Sequence, residues 1–179
     1  GMGLLGQLLA GVAATPYAGL IEQRVLGPLG MTATGVGTCG EGTVPGFRKG
    51  TPTPPWTFGA LEGAGGLRST FDDLMRLVRA CLDPPDGPIG EALDLARRPF
   101  YQPRLPFGAK GLGWMLRSLD RRRRRSETIW HDGGTFGASS FLAVDVSTAR
   151  AVVAFGNTGP GIIPLLDRPA WAVFDGLGG

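Results

Sequence analysis

The period of the apolar residues changes at Gly111, and this change limits the fold more than any other feature. Before it, apolar positions recur at helical spacing: Leu4, Leu5, Leu8, Leu9 and Val12, then Tyr17, Leu20, Ile21 and Val25, then Leu74, Leu77, Val78, Cys81 and Leu82. With 3.6 residues per turn, each set falls on one helix face. After Gly111 four short runs read as strands, 111–118, 128–131, 140–144 and 151–155. Their connections are too short for crossover helices, so neighbouring strands are predicted to pair antiparallel. The last two runs are apolar at consecutive positions, which predicts cover on both faces. A closing helix fits 169–177, with Trp171, Phe174 and Leu177 inward. Helices, then a strand meander, then a helix make an α+β chain with an antiparallel sheet flanked by helices.

Punctuation supports this order. Thr15-Pro16 reads as N-cap and first turn of the second helix, which Gly27-Pro28 ends. Thr70 with Asp73 three residues later reads as a capping-box variant opening the third helix, and Pro84-Pro85-Asp86-Gly87 closes it. A short helix is expected around 89–97. Residues 35–66, rich in Gly, Pro and Thr, form a long irregular excursion, and such loops often carry function. Within it Gly35-x-Gly37-x-x-Gly40 matches a dinucleotide fingerprint as a string, but the strand before it and the helix after it are missing, so nucleotide binding is set aside. The expected organisation is a single partial domain over 1–179: a helical and loop region over 1–110, then strands and closing helix over 111–179.

Composition excludes several classes. Gly 31 and Pro 15 would point to disorder in a polar chain, but 42% of residues are hydrophobic and only 18% charged, enough to bury a core. No run of about 18 apolar residues is present to cross a membrane. The start, Gly1-Met2-Gly3-Leu4-Leu5, shows no basic segment and no cleavage site of a secretory signal. Two readings of it stand: Met2 as a genuine start, or the downstream part of a longer protein. The compartment is not encoded. Cys39 and Cys81 make no disulfide scaffold; a cystine between them has no support, and two free thiols, one in the core, is the simpler reading. One His and no Cys-x-x-Cys leave no zinc site, and no metal or other cofactor is expected. The net charge of +3 is local: Arg121–Arg125 supply five positive charges, and the remainder carries −2. That run reads as a solvated hairpin tip or as a phosphate-binding patch. Without interleaved aromatics or a supporting basic face, nucleic acid is the less favoured partner.

The densest polar and glycine-rich stretch is Trp130-His131-Asp132-Gly133-Gly134-Thr135-Phe136-Gly137-Ala138-Ser139-Ser140. The only histidine ends a strand and is followed by glycines, whose lack of Cβ lets a ligand approach the backbone. Such a His can transfer protons near neutral pH, or it can be a satisfied structural group. Trp56 and Phe58 either line a substrate cleft or pin the long loop. Trp114 and Trp130 read as core. Asp132 either tunes His131 or is simply solvated.

Three stretches together resemble the serine β-lactamase-like hydrolases: class C β-lactamases, DD-peptidases and related esterases. Residues 1–34 look like the helical segment that follows the family's Tyr-x-Asn motif. Residues 63–82, GAGGLRSTFDDLMRLVRACL, look like its Gly-Gly-Leu-x-Ser-Thr helix entry. Residues 111–157, with WHDGGTFGASSFLAVDV, look like its C-terminal strands. The resemblance implies a β-lactamase/transpeptidase-like fold and an acyl-enzyme mechanism on an ester, amide or peptide. His131-Asp132-Gly133 is similar to the family's Lys-Thr-Gly or His-x-Gly box. By that likeness His131 binds substrate or relays protons, the backbone N–H of Gly134 serves the oxyanion hole, and Asp132, Gly133, Thr135, Phe136 and Trp56 line the substrate.

The departures are as informative. Neither lysine, Lys49 or Lys110, lies three residues after a serine, so Ser-x-x-Lys is absent. Ser147-Thr148-Ala149-Arg150 comes nearest, but Arg does not deprotonate. Tyr17 and Tyr101 are followed two residues later by Gly19 and Pro103, so Tyr-x-Asn is absent too. By the resemblance both motifs, the nucleophile helix and the N-terminal strands belong upstream of Gly1. The chain is then expected to be inactive alone, and its partner to be the missing N-terminal portion of the same fold. Without that portion a strand edge and an apolar helix face are expected to lie open. A non-catalytic binding or scaffold relative is the alternative. His in place of Lys leans towards esters, peptides or amides over β-lactam carboxylates, because imidazole carries less fixed charge at neutral pH.

Overall fold

The computed structural model describes residues 1–37, 42–101, 108–120, 125–159 and 166–177, with the backbone alone at 118–120 and 125–127. Cys39, Gly40 and Arg121–Arg124 lie outside the described residues. The chain divides into two compact units. One comprises Gly1–Leu77 with Gly134–Ala138 and Asn157–Pro160, the other Val78–Gly133 with Ser139–Gly156 and Gly161–Gly179.

The first unit opens with α1 (Met2–Val12) and α2 (Tyr17–Ile21), which runs into a π-helical turn over Glu22–Leu26. Thr15 does not cap α2. Its hydroxyl donates to Ala13 O at 3.0 Å, and Pro16 holds the cap position instead. The buried side of α1 is its glycine side: a Cβ on Gly3 would meet Leu61, and one on Gly6 would meet Tyr17 and Gly63. Leu4, Leu5, Leu8, Leu9 and Val12 are exposed. Among the described residues no single helix is long and apolar enough to cross a membrane.

The irregular excursion contains two small antiparallel pairs. Strands β1 (Gly35–Val36) and β4 (Leu67–Arg68) pair across it, and β2 (Gly46–Arg48) and β3 (Thr51–Thr53) form a hairpin within it. Lys49 (φ 51°) and Gly50 (φ 79°) both take positive φ, as a tight two-residue hairpin turn requires. A 3-10 segment kinked at Leu61, Gly59–Ala64, leads into β4. Helix α3 (Phe71–Leu82) follows. The Asp73 N–H donates to the Thr70 hydroxyl at 3.3 Å, which is half of the expected capping box. The Asp73 carboxylate does not reach back to Thr70. It turns to the segment ahead of β1, accepting from Ala33 N–H at 2.8 Å and the Thr34 hydroxyl at 2.7 Å, while Arg76 donates from the next turn at 2.7 Å. Only 1% of Asp73 is exposed, so these donors replace the water it has lost.

The second unit holds α4 (Pro88–Ala96), the sheet and α5 (Asp167–Gly176). The sheet is β5 (Met115–Asp120), β6 (Arg125–Gly134), β7 (Ser139–Asp145) and β8 (Arg150–Gly156), in that spatial order and antiparallel where the register is defined. The first strand begins four residues later than expected because Gly113 takes φ 79° and the Gly111 N–H donates to Trp114 O, which makes a turn there. Strand β7 is buried on both faces, with Phe141 and Ala143 on one and Leu142 and Val144 on the other. Strand β8 is only half-buried, and Phe155 is exposed. Phe141, Ala143, Ala170 and Phe174 form the core between sheet and α5, with Trp130 and Trp171 packed against them. Burying a ring such as Phe141 or Phe174 stabilises by roughly 1.5–3 kcal/mol. Arg117 lies over the Trp171 ring, 4.0 Å from its centroid, and forks onto the Asp175 carboxylate at 2.9 and 3.0 Å. Cys81 is buried and unbridged, and burial pushes its thiol up to about 11 despite the Arg97 cation.

Candidate active site

Strand β6 carries the histidine box. Neighbouring side chains on a strand point to opposite faces. Trp130 packs into the core, stacked on Phe141 (centroids 5.9 Å apart) and edge-on to Trp171 (5.6 Å), and so fixes the strand directly beside the box. His131 is therefore directed away from that core, and its ring is exposed. The glycines expected to lie beyond the strand belong to it, since β6 runs through Gly134.

The His131 Nδ1 lies 2.5 Å from the main-chain oxygen of Asp132. A carbonyl only accepts, so Nδ1–H is the donor in this contact and Nε2 is left for another partner. The Asp132 carboxylate is half-buried and acts elsewhere. Burial and the Asp132 charge together push up the carboxyl of Asp167, the first residue of α5. Asp132 thus holds the imidazole through its backbone rather than through its side chain. Gly133 is exposed, and a Cβ there would come 2.9 Å from the Ser140 hydroxyl on β7.

The turn after the box belongs to the first unit. Thr135 N–H donates to Ala138 O at 2.9 Å and closes it. The Phe47 N–H of β2 donates to both Gly137 O (3.2 Å) and Asn157 O (2.8 Å), and Gly159 N–H returns a bond to Phe47 O at 2.9 Å. Gly46 and Gly137 touch backbone to backbone, with no room for a Cβ on either, and Gly159 abuts the Phe136 carbonyl in the same way. Phe136, at the tip of this turn, meets Trp56 edge-to-face at 4.6 Å, and Trp56 in turn meets Phe58 at 5.7 Å. The Arg48 guanidinium lies 4.6 Å from the Phe136 ring centroid. Arg68 donates to Trp56 O at 3.0 Å and to Gly37 O at 2.9 Å, tying the aromatic segment to the end of β1.

His131, Asp132, Gly133 and Gly134 are thus consecutive on one strand, Thr135 and Phe136 continue into its turn, and Trp56 reaches that turn from the long loop. Arg48 was not singled out from the sequence. Its signal was the tight-turn pair Lys49-Gly50, which marks a hairpin and so places Arg48 on a strand. Among the described residues no group of three or more His, Cys, Asp or Glu gathers to hold a metal ion.

The family model described as Beta-lactamase matches residues 1–171. This chain belongs to the β-lactamase family. Solved structures share its fold. A class C β-lactamase superposes with a TM-score of 0.82 at 21% identity, covering 99% of this chain and 56% of the other. A β-lactamase/D-alanine carboxypeptidase from Pseudomonas syringae gives 0.77 at 20% identity over 96% and 56%, and a class C β-lactamase from Rhodobacter sphaeroides 0.82 at 17% over 99% and 59%. This β-lactamase-family chain therefore spans a little over half the length of these structural neighbours. No curated protein matches it significantly.

Proposed function

We propose that this chain is the C-terminal part of a serine hydrolase that cleaves an ester, amide or peptide through an acyl-enzyme, and that His131 and Gly134 are its contribution to the reacting centre. The observation that carries this reading is the exposed His131 ring, whose Nδ1 proton is engaged by its own strand so that Nε2 is left to accept a proton or bind a substrate donor. Family membership supplies the reaction class.

In this mechanism the Gly134 N–H donates to the substrate carbonyl oxygen as negative charge develops there, a contribution of about 3 kcal/mol in comparable sites. Gly133, lacking a Cβ, lets the substrate lie close along β6. Thr135, Phe136 and Trp56 line the flanking group, and Asp132 fixes the imidazole tautomer through its carbonyl. The attacking hydroxyl and its base come from outside these 179 residues. A hydroxyl without a nearby base is a weak nucleophile, and no lysine here follows a serine by three.

Two measurements test this. A fluorophosphonate probe should label no serine of the 179-residue chain, and labelling would refute the assignment of the nucleophile. The full-length gene product, profiled with ester, D-amino-acid peptide and β-lactam probes, should turn over at least one class. His131→Ala should lower kcat/KM there by 100-fold or more. Full activity in that variant would remove His131 from the mechanism.

A further inference from the structure

We infer that the end of α4 and the ribbon that follows it form a peripheral docking surface for a bilayer bearing anionic phospholipids. The inference is independent of the hydrolase reading. Four large apolar side chains gather in this part of the chain, Leu95, Phe100, Tyr101 and Leu112, each between 42% and 60% exposed. Their backbones are stitched together. The Phe100 and Tyr101 N–H groups both donate to Lys110 O, at 2.9 and 3.1 Å, and Lys110 N–H returns a bond to Tyr101 O at 2.8 Å. Leu112 N–H donates to Ala96 O at 2.9 Å, and Gly111 abuts the same carbonyl with no room for a Cβ. Ala109, next to Lys110, is buried and accepts from the Leu116 N–H of β5 at 2.8 Å. This frame keeps the four side chains in water, where they gain nothing, and leaves little ordering to lose on docking.

Charge decides the partner. Arg98 and Lys110 are exposed within the same frame. Asp94 engages Arg97, and among the described residues neither Arg98 nor Lys110 forms an ion pair. Over residues 91–112 the sequence sets four bases, Arg97, Arg98, Arg104 and Lys110, against two acids, Glu91 and Asp94. Cations beside exposed rings and leucines match the headgroup layer of an anionic bilayer: the charges meet phosphate while the apolar groups enter the acyl boundary. The long stems of arginine and lysine lie along apolar surface while their heads reach the phosphates. A protein partner fits less well, since lysine is depleted from protein interfaces. Single-stranded nucleic acid also fits less well, because Leu95 and Leu112 offer no ring for a base to stack on.

The test compares vesicles of phosphatidylcholine with vesicles of an equimolar mixture with phosphatidylglycerol. The 179-residue chain carries Leu4→Gln, Leu8→Gln and the five changes Arg121→Gln through Arg125→Gln, so that neither α1 nor the arginine run anchors it. Co-sedimentation should show binding to the mixed vesicles about tenfold tighter than to phosphatidylcholine. Adding Arg98→Gln with Lys110→Gln should remove that preference. Adding Phe100→Ser with Leu112→Ser should instead weaken binding to the mixed vesicles about tenfold. Tyr101→Trp keeps an aromatic ring in place and reads insertion directly: its added indole fluorescence should be quenched by brominated phosphatidylcholine in the mixed vesicles. Equal binding to the two vesicles, undiminished binding after the Phe100 and Leu112 changes, or no quenching of the added indole would each overturn the surface. A single-stranded oligonucleotide that binds as tightly as the mixed vesicles and displaces the chain from them would overturn the bilayer as its partner.

Discussion

Two buried carboxylates show how single residues hold this chain. Asp73 joins α3 to the segment before β1 through Ala33 and Thr34, with Arg76 of the same helix donating to its other oxygen. Asp73→Ala would take the acceptor from the part-buried Ala33 N–H bond and leave the Thr34 hydroxyl with Ser69 alone, and is expected to cost about 1–3 kcal/mol in urea unfolding, of which Asp73→Asn recovers part. Asp145 closes the β7–β8 turn. Burial raises its carboxyl, but donors from Ser147, Thr128 and Thr148 outweigh this and hold it below the ordinary range. Because the folded value is depressed, its contribution is present above the unfolded value near 4 and is lost as pH falls through the folded one. The midpoint difference between wild type and Asp145→Asn should therefore be largest near neutral pH and shrink below about pH 4. A difference that stays constant down to pH 2 would show that the bonds do not depend on its ionisation.

Among the elements, those with a long sequence period were legible and those made by backbone contact were not. Helices α1 and α3 and strands β7 and β8 follow from apolar spacing and turn residues to within a few positions. The sequence singled out a lone His followed by two glycines at a strand end, and these residues lie together on β6. The stitching of β2 to the turn after β6 was invisible, since Phe47 joins Gly137 and Asn157 through main-chain groups that every residue possesses. Only Gly46 and Gly137 mark it, and among 31 glycines they do not stand out. The same limit hid the role of Asp73: spacing showed its place in a cap, but not that its carboxylate would turn towards residues 33 and 34. Gly137→Ala tests the stitch. Its Cβ would meet the Gly46 Cα at 2.9 Å, backbone that has no side chain to swing aside. The expected cost is about 1–3 kcal/mol, with loss of the protection of the Phe47 amide from hydrogen exchange.

Taken whole, the chain leaves a great deal of apolar surface uncovered. Six large apolar side chains of α1, Met2 through Val12, are exposed, Val12 to 89%. Patches of this kind promote association. Leu4→Gln with Leu8→Lys should raise the soluble fraction of the isolated chain while leaving its unfolding midpoint unchanged. A lowered midpoint would mean that these leucines are buried in solution. The family fold and the α+β architecture were legible at this scale, because three separated stretches resembled one family in the same order. The π-helical turn after α2 was not, since nothing in Glu22–Leu26 marks a change of hydrogen-bond period.

Because α1 seats itself by Gly3 and Gly6 against Leu61, Tyr17 and Gly63, the ordinary tolerance map of an amphipathic helix is inverted along it. Saturation mutagenesis of residues 2–12 would find Gly3 and Gly6 the least replaceable and the leucines, like Gly11, permissive, so hydrophobicity alone would misjudge which substitutions this segment survives.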